Sequence, residues 1–354
     1  MDYKPGICTF CGTGCGHFLK VNGSGVDGVF PSRNHPVSRG RLCVRGWNIH
    51  ELLSTTQRNT APMVKKGGQF QPASYDEAID EAVKNLKKYS PAETAFLASP
   101  RSSNEENYLF MKLARSVFGT NNVSTDTESG HRNSLDVLNE GTGFPGMTGS
   151  IEEIQKAEVL LVAGMDITRQ NPIIGSELHM ASMKGSTLVT ADSRKTQVAK
   201  LSDVFHQVNP GSMKVLFNAV AALMVRDGLY DKDFVEKNTG NASEFIQNIK
   251  AVSIEDAAKK AGVTVDDITS LAEKLAKSKS AMVFFTSGIS GLDRDTIGSI
   301  YNLFLLAGKI GKRRLRGEPH CRHQQPAGKL RHRLRTRPAH RLPAPCRPES
   351  PLEV

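Results

Sequence analysis

The sequence predicts an α/β protein in which a small, cysteine-bound N-terminal domain precedes doubly wound, Rossmann-like α/β domains. Two observations predict it. Four of the six cysteines fall in the first 43 residues, in a stretch crowded with Gly and turn formers. From about residue 70, apolar runs of strand length alternate with segments of helical periodicity, and the runs end at Gly or Asp.

Length and composition frame the rest. A chain of 354 residues, 38% hydrophobic and 23% charged, can hold two or three globular domains. No run approaches the roughly 20 apolar residues of a membrane span. Met1–Pro5 carries no apolar or twin-arginine export signal, so a cytoplasmic location is the default. The net charge of +10 points toward nucleic acid only until it is mapped. Residues 313–354 hold ten Arg and one Lys against three Glu, whereas the preceding 312 residues hold 35 basic and 33 acidic side chains. A near-neutral body gives no reason to expect a nucleic-acid partner.

The elements follow in order. Residues 1–52 read as a loop-rich domain with short β runs such as Phe18–Val21, and 53–312 as the α/β region. Ser74 and Glu77 have capping-box spacing ahead of Ile79, Ala82, Val83 and Leu86. The stretch 94–99 predicts a buried strand and 105–118 a helix. Val159–Ala163 is continuously apolar and ends at Gly164, as a parallel strand covered on both faces does. A helix near 175–183, a strand over 187–191 ending at Asp192, and a helix over 214–225 follow. Thr264 and Asp267 have the spacing to cap a helix running to about residue 277. A strand over 281–286 ends at Ser287-Gly288, and a helix over 296–307 comes next. Ligands of such sheets sit beyond the carboxyl ends of the strands, which places Gly164, Asp166, Asp192 and Gly288 on the binding edge.

After Lys312 the character changes. Residues 313–354 hold seven of the 17 Pro and four of the ten His, and no Ile, Phe, Tyr, Trp or Met, a composition unable to bury a core. The segment reads either as a basic disordered tail or as out-of-frame translation, and its abrupt onset favours the second.

The cysteines are spaced Cys8-x2-Cys11-x3-Cys15-x27-Cys43. Three close thiolates on a Gly-rich loop and one distant thiolate can enclose an iron–sulfur cube, and Gly6, Gly12, Gly14 and Gly16 let backbone N–H groups approach the sulfurs. Structural zinc is the rival, but zinc sites pair two close Cys-x2–4-Cys units, and Cys43 stands alone.

This spacing, with Cys43-Val44-Arg45-Gly46 closing it, resembles the molybdopterin oxidoreductase family, which includes formate dehydrogenases, and the likeness runs from about residue 5 to 312. The resemblance implies a 4Fe–4S cluster on Cys8, Cys11, Cys15 and Cys43, and an electron-relay role for Arg45 beside a pterin. It implies molybdopterin guanine dinucleotide with Mo or W on three loops: Gly164, Asp166 and Asn171; Asp192, Arg194 and Thr196; Gly211 and Ser212. Gly288 joins them from the strand-end argument. In the third loop Met213 stands where the family has an acid that reads guanine. His131 falls where formate dehydrogenases place a His after the metal-ligating Cys or selenocysteine, and Gly130 occupies the ligand position. His131 is the catalytic candidate, as a proton shuttle, with Asp126 or Ser129 as alternative oxygen donors. The resemblance also leads to the expectation that the family's C-terminal barrel domain is absent here.

The resemblance therefore implies a formate dehydrogenase alpha-subunit-like oxidoreductase with a small-molecule substrate such as formate and partner iron–sulfur or flavin subunits. Two alternatives stand beside it: a non-catalytic electron conduit like the large iron–sulfur subunit of NADH dehydrogenase, favoured by Gly130 and Met213, and a truncated inactive product.

Overall fold

A computed structural model describes residues 2–23, 25–125, 128–286 and 292–310, without the side chains of 128–130. Asp126, Gly288 and the segment 313–354 with Cys321 and Cys346 lie outside the described residues. The described chain divides into two compact units. The first holds residues 2–60, 99–103 and 128–310, and the second holds 61–98 and 104–125.

The first unit opens with an antiparallel sheet of β1 (Asp2–Ile7), β2 (Gly16–Asn22) and β3 (Gly25–Pro31), in that spatial order. Ile7 pairs with Gly16, so residues 8–15 form the loop of the β1–β2 hairpin. Cys8 N–H donates to Cys15 O at 2.8 Å and closes that loop. Helix α1 (Val44–Trp47) follows Cys43.

The second unit begins with the hairpin β4 (Met63–Lys66) and β5 (Gln69–Pro72). Its turn residues Gly67 and Gly68 both have positive φ, +60° and +87°, the backbone that favours Gly-Gly there. Helix α2 (Tyr75–Leu86) starts where Ser74 Oγ accepts from Glu77 N at 3.1 Å. Strand β6 (Phe96–Ala98), helix α3 (Asn104–Lys112) with a π-helical turn over Leu113–Val117, and strand β7 (Val123–Thr125) complete the unit, β6 and β7 pairing in parallel. Phe96 packs edge-to-face on Phe110 and Phe118. The strand expected to be buried is covered on one face only, because Leu97 is 75% exposed between buried Phe96 and Ala98.

The first unit resumes with α4 (Glu128–Thr142), then alternates: β8 (Val159–Ala163), α5 (Ile167–Gln170), α6 (Pro172–Met183), β9 (Thr187–Asp192), α7 (Gln197–Leu201), β10 (Val204–Gln207) and α8 (Met213–Arg226). Helices α9 (Lys232–Asn238), α10 (Ala242–Lys250), α11 (Ile254–Ala261) and α12 (Val265–Lys277) lead to β11 (Ala281–Phe285) and α13 (Arg294–Leu306). The four strands are parallel, in the order β10-β9-β8-β11. Alternate residues of β8 supply two cores. Leu160 and Val162 pack with Leu178 and Ala181 of α6, while Val159, Leu161 and Ala163 join the core that holds Phe217 and Leu216 of α8. Both faces of the sheet are thus covered, and β8 is continuously apolar for that reason. The expected capping box at α12 forms in full, Thr264 and Asp267 satisfying each other's backbone N–H groups.

The sheet grows from β8 through β9 to β10 and then restarts on the other side of β8 with β11. That reversal is a topological switch point, where a crevice opens at the carboxyl ends of the strands. Gly164 stands at it.

One buried histidine ties the edge strand to a helix. His206 on β10 is 2% exposed, and its Nδ1 lies 3.2 Å from Asp267 Oδ1 on α12. Burial pushes its pKa down, outweighing the carboxylate. The unfolded chain takes up a proton near pH 6.5 where the folded chain does not. The stability that neutral His206 contributes is therefore full above that pH and is lost as pH falls toward the folded pKa. Thermal melts should show Tm dropping as pH is lowered from about 7.5 to about 5.5, with a shallower drop in His206→Asn; identical slopes would contradict it.

Candidate cofactor site

The cysteine loop is shaped by its backbone. Gly14 adopts φ +64°, and the flanking glycines meet histidine rings. A Cβ on Gly16 would stand 2.4 Å from the His35 ring, and one on Gly6 would stand 2.8 Å from His17 Nε2. Cys8 and Cys15 are buried, Cys11 and Cys43 partly so. Burial, reinforced by the neighbouring cysteines, raises the thiol pKa of Cys8, and that of Cys15 to about 12. Burial also acts to raise Cys43, but the backbone N–H of Gly46 and the side chain and N–H of Arg45 outweigh it and hold the thiol below its usual value. The backbone N–H of Phe10 acts in the same direction at Cys8, and the Arg41 cation at Cys15, but there burial prevails.

Thiols that feel one another, with N–H groups beside Cys8 and Cys43 and the charges of Arg41 and Arg45 bearing on Cys15 and Cys43, suit a cluster whose thiolate charge has to be stabilised in a dry loop. Among the described residues no three His, Cys, Asp or Glu side chains converge on a single metal ion. The chemistry of the donor set, three thiols on one loop and a fourth further along the chain, fits a polynuclear cage that Cys8, Cys11, Cys15 and Cys43 would corner.

The nucleotide edge lies on the same unit. Gly164 ends β8 with φ +62°, and its N–H donates to Ala191 O at 2.9 Å. A Cβ there would come within 2.8 Å of Leu292 Cδ2, and the positive φ favours glycine over any side chain. Asp166 precedes α5; its Oδ1 accepts from Thr168 Oγ1 at 2.5 Å and its Oδ2 from Gln197 N at 3.4 Å, which joins the first loop to the start of α7. Asp192 ends β9 and is 3% exposed. Its Oδ1 accepts from Arg194 N at 2.8 Å, while Oδ2 is buried with no hydrogen-bond partner among the described residues. A buried, unsatisfied carboxylate oxygen at a strand end is a vacant acceptor for a ribose hydroxyl or a guanine N–H. The Arg194 guanidinium is exposed beside it, where a phosphate can be met.

Other expected site residues serve the fold. Thr196 Oγ1 caps α7 by accepting from Ala199 N at 3.3 Å. Ser212 Oγ donates to Asn209 O at 2.7 Å, next to Gly211 at φ +77°. Met213 packs against the α8 core. His131 sits half-buried on α4. Gly288 lies outside the described residues, as do the side-chain positions 129 and 130.

Several contacts join the two halves of the site. Arg45 donates to Gln170 O at 3.1 Å and Arg169 O at 3.4 Å, at the end of α5. Asn171 Nδ2 donates to Thr13 Oγ1 in the cysteine loop at 3.1 Å. Glu177 on α6, 1% exposed, accepts from Arg39 at 2.5 Å, from Arg41, and from Gln155 Nε2 at 2.7 Å. Thr13, Arg39, Arg41 and Glu177 belong to no motif. The one sequence signal is Glu177 itself, a lone acid among Ile173, Ile174 and Leu178 on an otherwise apolar helix.

The cysteine loop is hydrogen-bonded, through Thr13 and Asn171, to the switch-point edge of a parallel sheet, so a candidate metal-cluster site lies beside a candidate nucleotide site. The chain belongs to the molybdopterin oxidoreductase family: that family's sequence model matches residues 58–337, and its Fe4S4 domain matches residues 1–55. Both cofactors are thereby those of this family, an Fe4S4 cluster on the N-terminal domain and molybdopterin on the body. The chain is similar to subunit alpha of F420-dependent formate dehydrogenase 1 of Methanococcus maripaludis, 32% identical over 314 residues, covering 88% of this chain and 47% of that one. It is 31% identical over 316 residues to the corresponding subunit of Methanocaldococcus jannaschii, with the same two coverages, 88% and 47%. It thus spans about half the length of these curated relatives. Acetylene hydratase from Pelobacter acetylenicus shares the fold, with TM-score 0.73 at 19% identity over 87% of this chain and 44% of that one. No helix among the described residues is long and apolar enough to cross a membrane.

Two substitutions test how the site is built. Gly164→Ala should cost about 1–3 kcal/mol in denaturant unfolding, from strain at positive φ and the Leu292 overlap. Glu177→Ala should cost on the order of 2–3 kcal/mol, below the figure for a fully buried pair because the Arg39 guanidinium is partly solvated. A change under about 0.5 kcal/mol in either would contradict the packing described.

Proposed function

We propose that the chain is the cluster- and pterin-binding portion of a formate dehydrogenase-like alpha subunit, a cytoplasmic molybdopterin-dependent oxidoreductase. It passes electrons between a pterin–metal centre and a partner iron–sulfur or flavin subunit. The observation that carries this reading is the direct bonding of the cysteine loop to the nucleotide edge through Arg45 and Asn171.

When bound, the pterin-held Mo or W supplies two-electron chemistry on a small substrate, formate being the first candidate, and the cluster carries electrons singly. The chain's own residues do the rest. Gly164 keeps the strand end open to a close approach. Asp192 Oδ2 accepts a hydrogen bond from the nucleotide, and Arg194 meets its phosphates. Arg45 keeps positive charge between the two centres, which steadies the extra negative charge of either when reduced. His131 carries a proton to or from the substrate pocket.

A second reading, the electron conduit without a pterin metal, is favoured by Met213. Its side chain packs on the α8 core where the family's acid would read guanine, and Gly130 offers no ligand. Acid release of guanine nucleotide and pterin from anaerobically purified protein separates the two. The oxidoreductase reading expects both, their loss in Asp192→Ala, and formate-driven bleaching of the cluster. Cluster without pterin would establish the conduit. We propose further that residues 313–354 are translated out of frame; the family match, which reaches residue 337, makes this a pointed test. The gene downstream of the Lys312 codon should encode, in another frame, a Gly-rich loop and a long continuation. An open frame found only for the Pro/Arg segment would refute it.

A further inference from the structure

Thr13 lies between two ligands of the cage and is 1% exposed. Two polar contacts reach its hydroxyl. Cys11 Sγ is 3.4 Å away, and Asn171 Nδ2 donates to Oγ1 at 3.1 Å. As a free thiol, Cys11 is the donor of its pair. A thiolate bound to iron has no proton to give, so the bond has to reverse, with the threonine hydroxyl donating to sulfur. The amide of Asn171 makes that reversal the favoured state. An –NH2 group can only donate, so it occupies a lone pair of Oγ1 and leaves the hydroxyl proton for Cys11. Asn171 is also the junction residue between α5 and α6, immediately after the carbonyls that receive Arg45.

We propose that Thr13 is a positioning residue that sets the reduction potential of the cluster by donating a hydrogen bond to the Cys11 sulfur, with Asn171 fixing the direction of that bond from the nucleotide loop. A hydrogen bond to a cluster sulfur stabilises the more negative, reduced state and so raises the potential. The same bond links the two cofactors mechanically: a nucleotide that displaces the 166–171 loop pulls on the donor to Thr13, and cluster potential responds to occupancy of the nucleotide site. The inference rests on the cluster-bearing oxidoreductase reading.

The test uses the full chain reconstituted anaerobically with iron and sulfide, read by potentiometric EPR titration. Wild type without a cluster would end the reading itself rather than this inference. With the cluster present, Thr13→Val should titrate at a lower midpoint than wild type and Thr13→Ser should restore it. Should Thr13→Val fail to hold the cluster, Asn171→Asp decides, because its carboxylate accepts the threonine proton and draws it off the sulfur. That variant should also titrate lower, and by more in the Thr13 chain than in Thr13→Ala, which has no hydroxyl to turn and feels only the added charge. A midpoint equal to wild type in Thr13→Val, or in Asn171→Asp where Thr13→Val holds no cluster, overturns the proposal.

Discussion

Glu177 carries a charge in a place that almost no water reaches, and the site is built around that fact. A buried carboxylate is tolerated only when donors surround it. Here Arg39 and Arg41 come from the segment that leads into Cys43, and Gln155 comes from the turn before β8. Glu177 therefore fastens the cysteine domain to the first parallel strand and to the helix that covers it. The geometry of everything else depends on that fastening, since Arg41 is also the cation that bears on Cys15. Replacing the carboxylate would release both guanidinium groups and remove the frame against which the cysteine loop is set.

From that anchor the two cofactor regions approach each other in a short space. The hairpin loop presents three thiols and Cys43, at the N-cap of α1, the fourth, and an N–H group or a guanidinium bears on those of Cys8, Cys15 and Cys43. The end of α5 is reached by Arg45 and the start of α6 holds Thr13. In the proposed reading, charge on the cluster and occupancy of the sheet edge would be felt through the same few groups. A redox subunit needs that coupling, because electrons leaving the pterin-bearing side have to find an acceptor whose potential is already matched.

Much of this was legible in the sequence. Continuous burial of Val159–Ala163, the strand ending at Asp192, the Thr264–Asp267 cap and the cysteine spacing all follow from local rules, because each involves neighbours in the chain. The edge strand β10 and the hairpin β4–β5 were not read, although Gly67-Gly68 marks the latter's turn. Strand β10 is only four residues and half-buried, too short for a periodic signal. Nor do Asn171, Thr196 and Ser212 read as structural residues from sequence. Their hydroxyl and amide groups look free until the fold supplies Thr13, Ala199 N–H and Asn209 O as partners. Thr13 and Glu177 escaped for the same reason: each acts on residues more than 130 positions away. Long-range hydrogen bonds leave no pattern in a single chain.

The central claim is that the four cysteines hold an iron–sulfur cube rather than a lone metal ion. Iron, acid-labile sulfide and zinc assayed on one sample of anaerobically purified protein test it most directly. About four iron and four sulfide per chain, lost together when Cys15 or Cys43 is replaced by alanine, is the predicted result. Stoichiometric zinc without sulfide would contradict it.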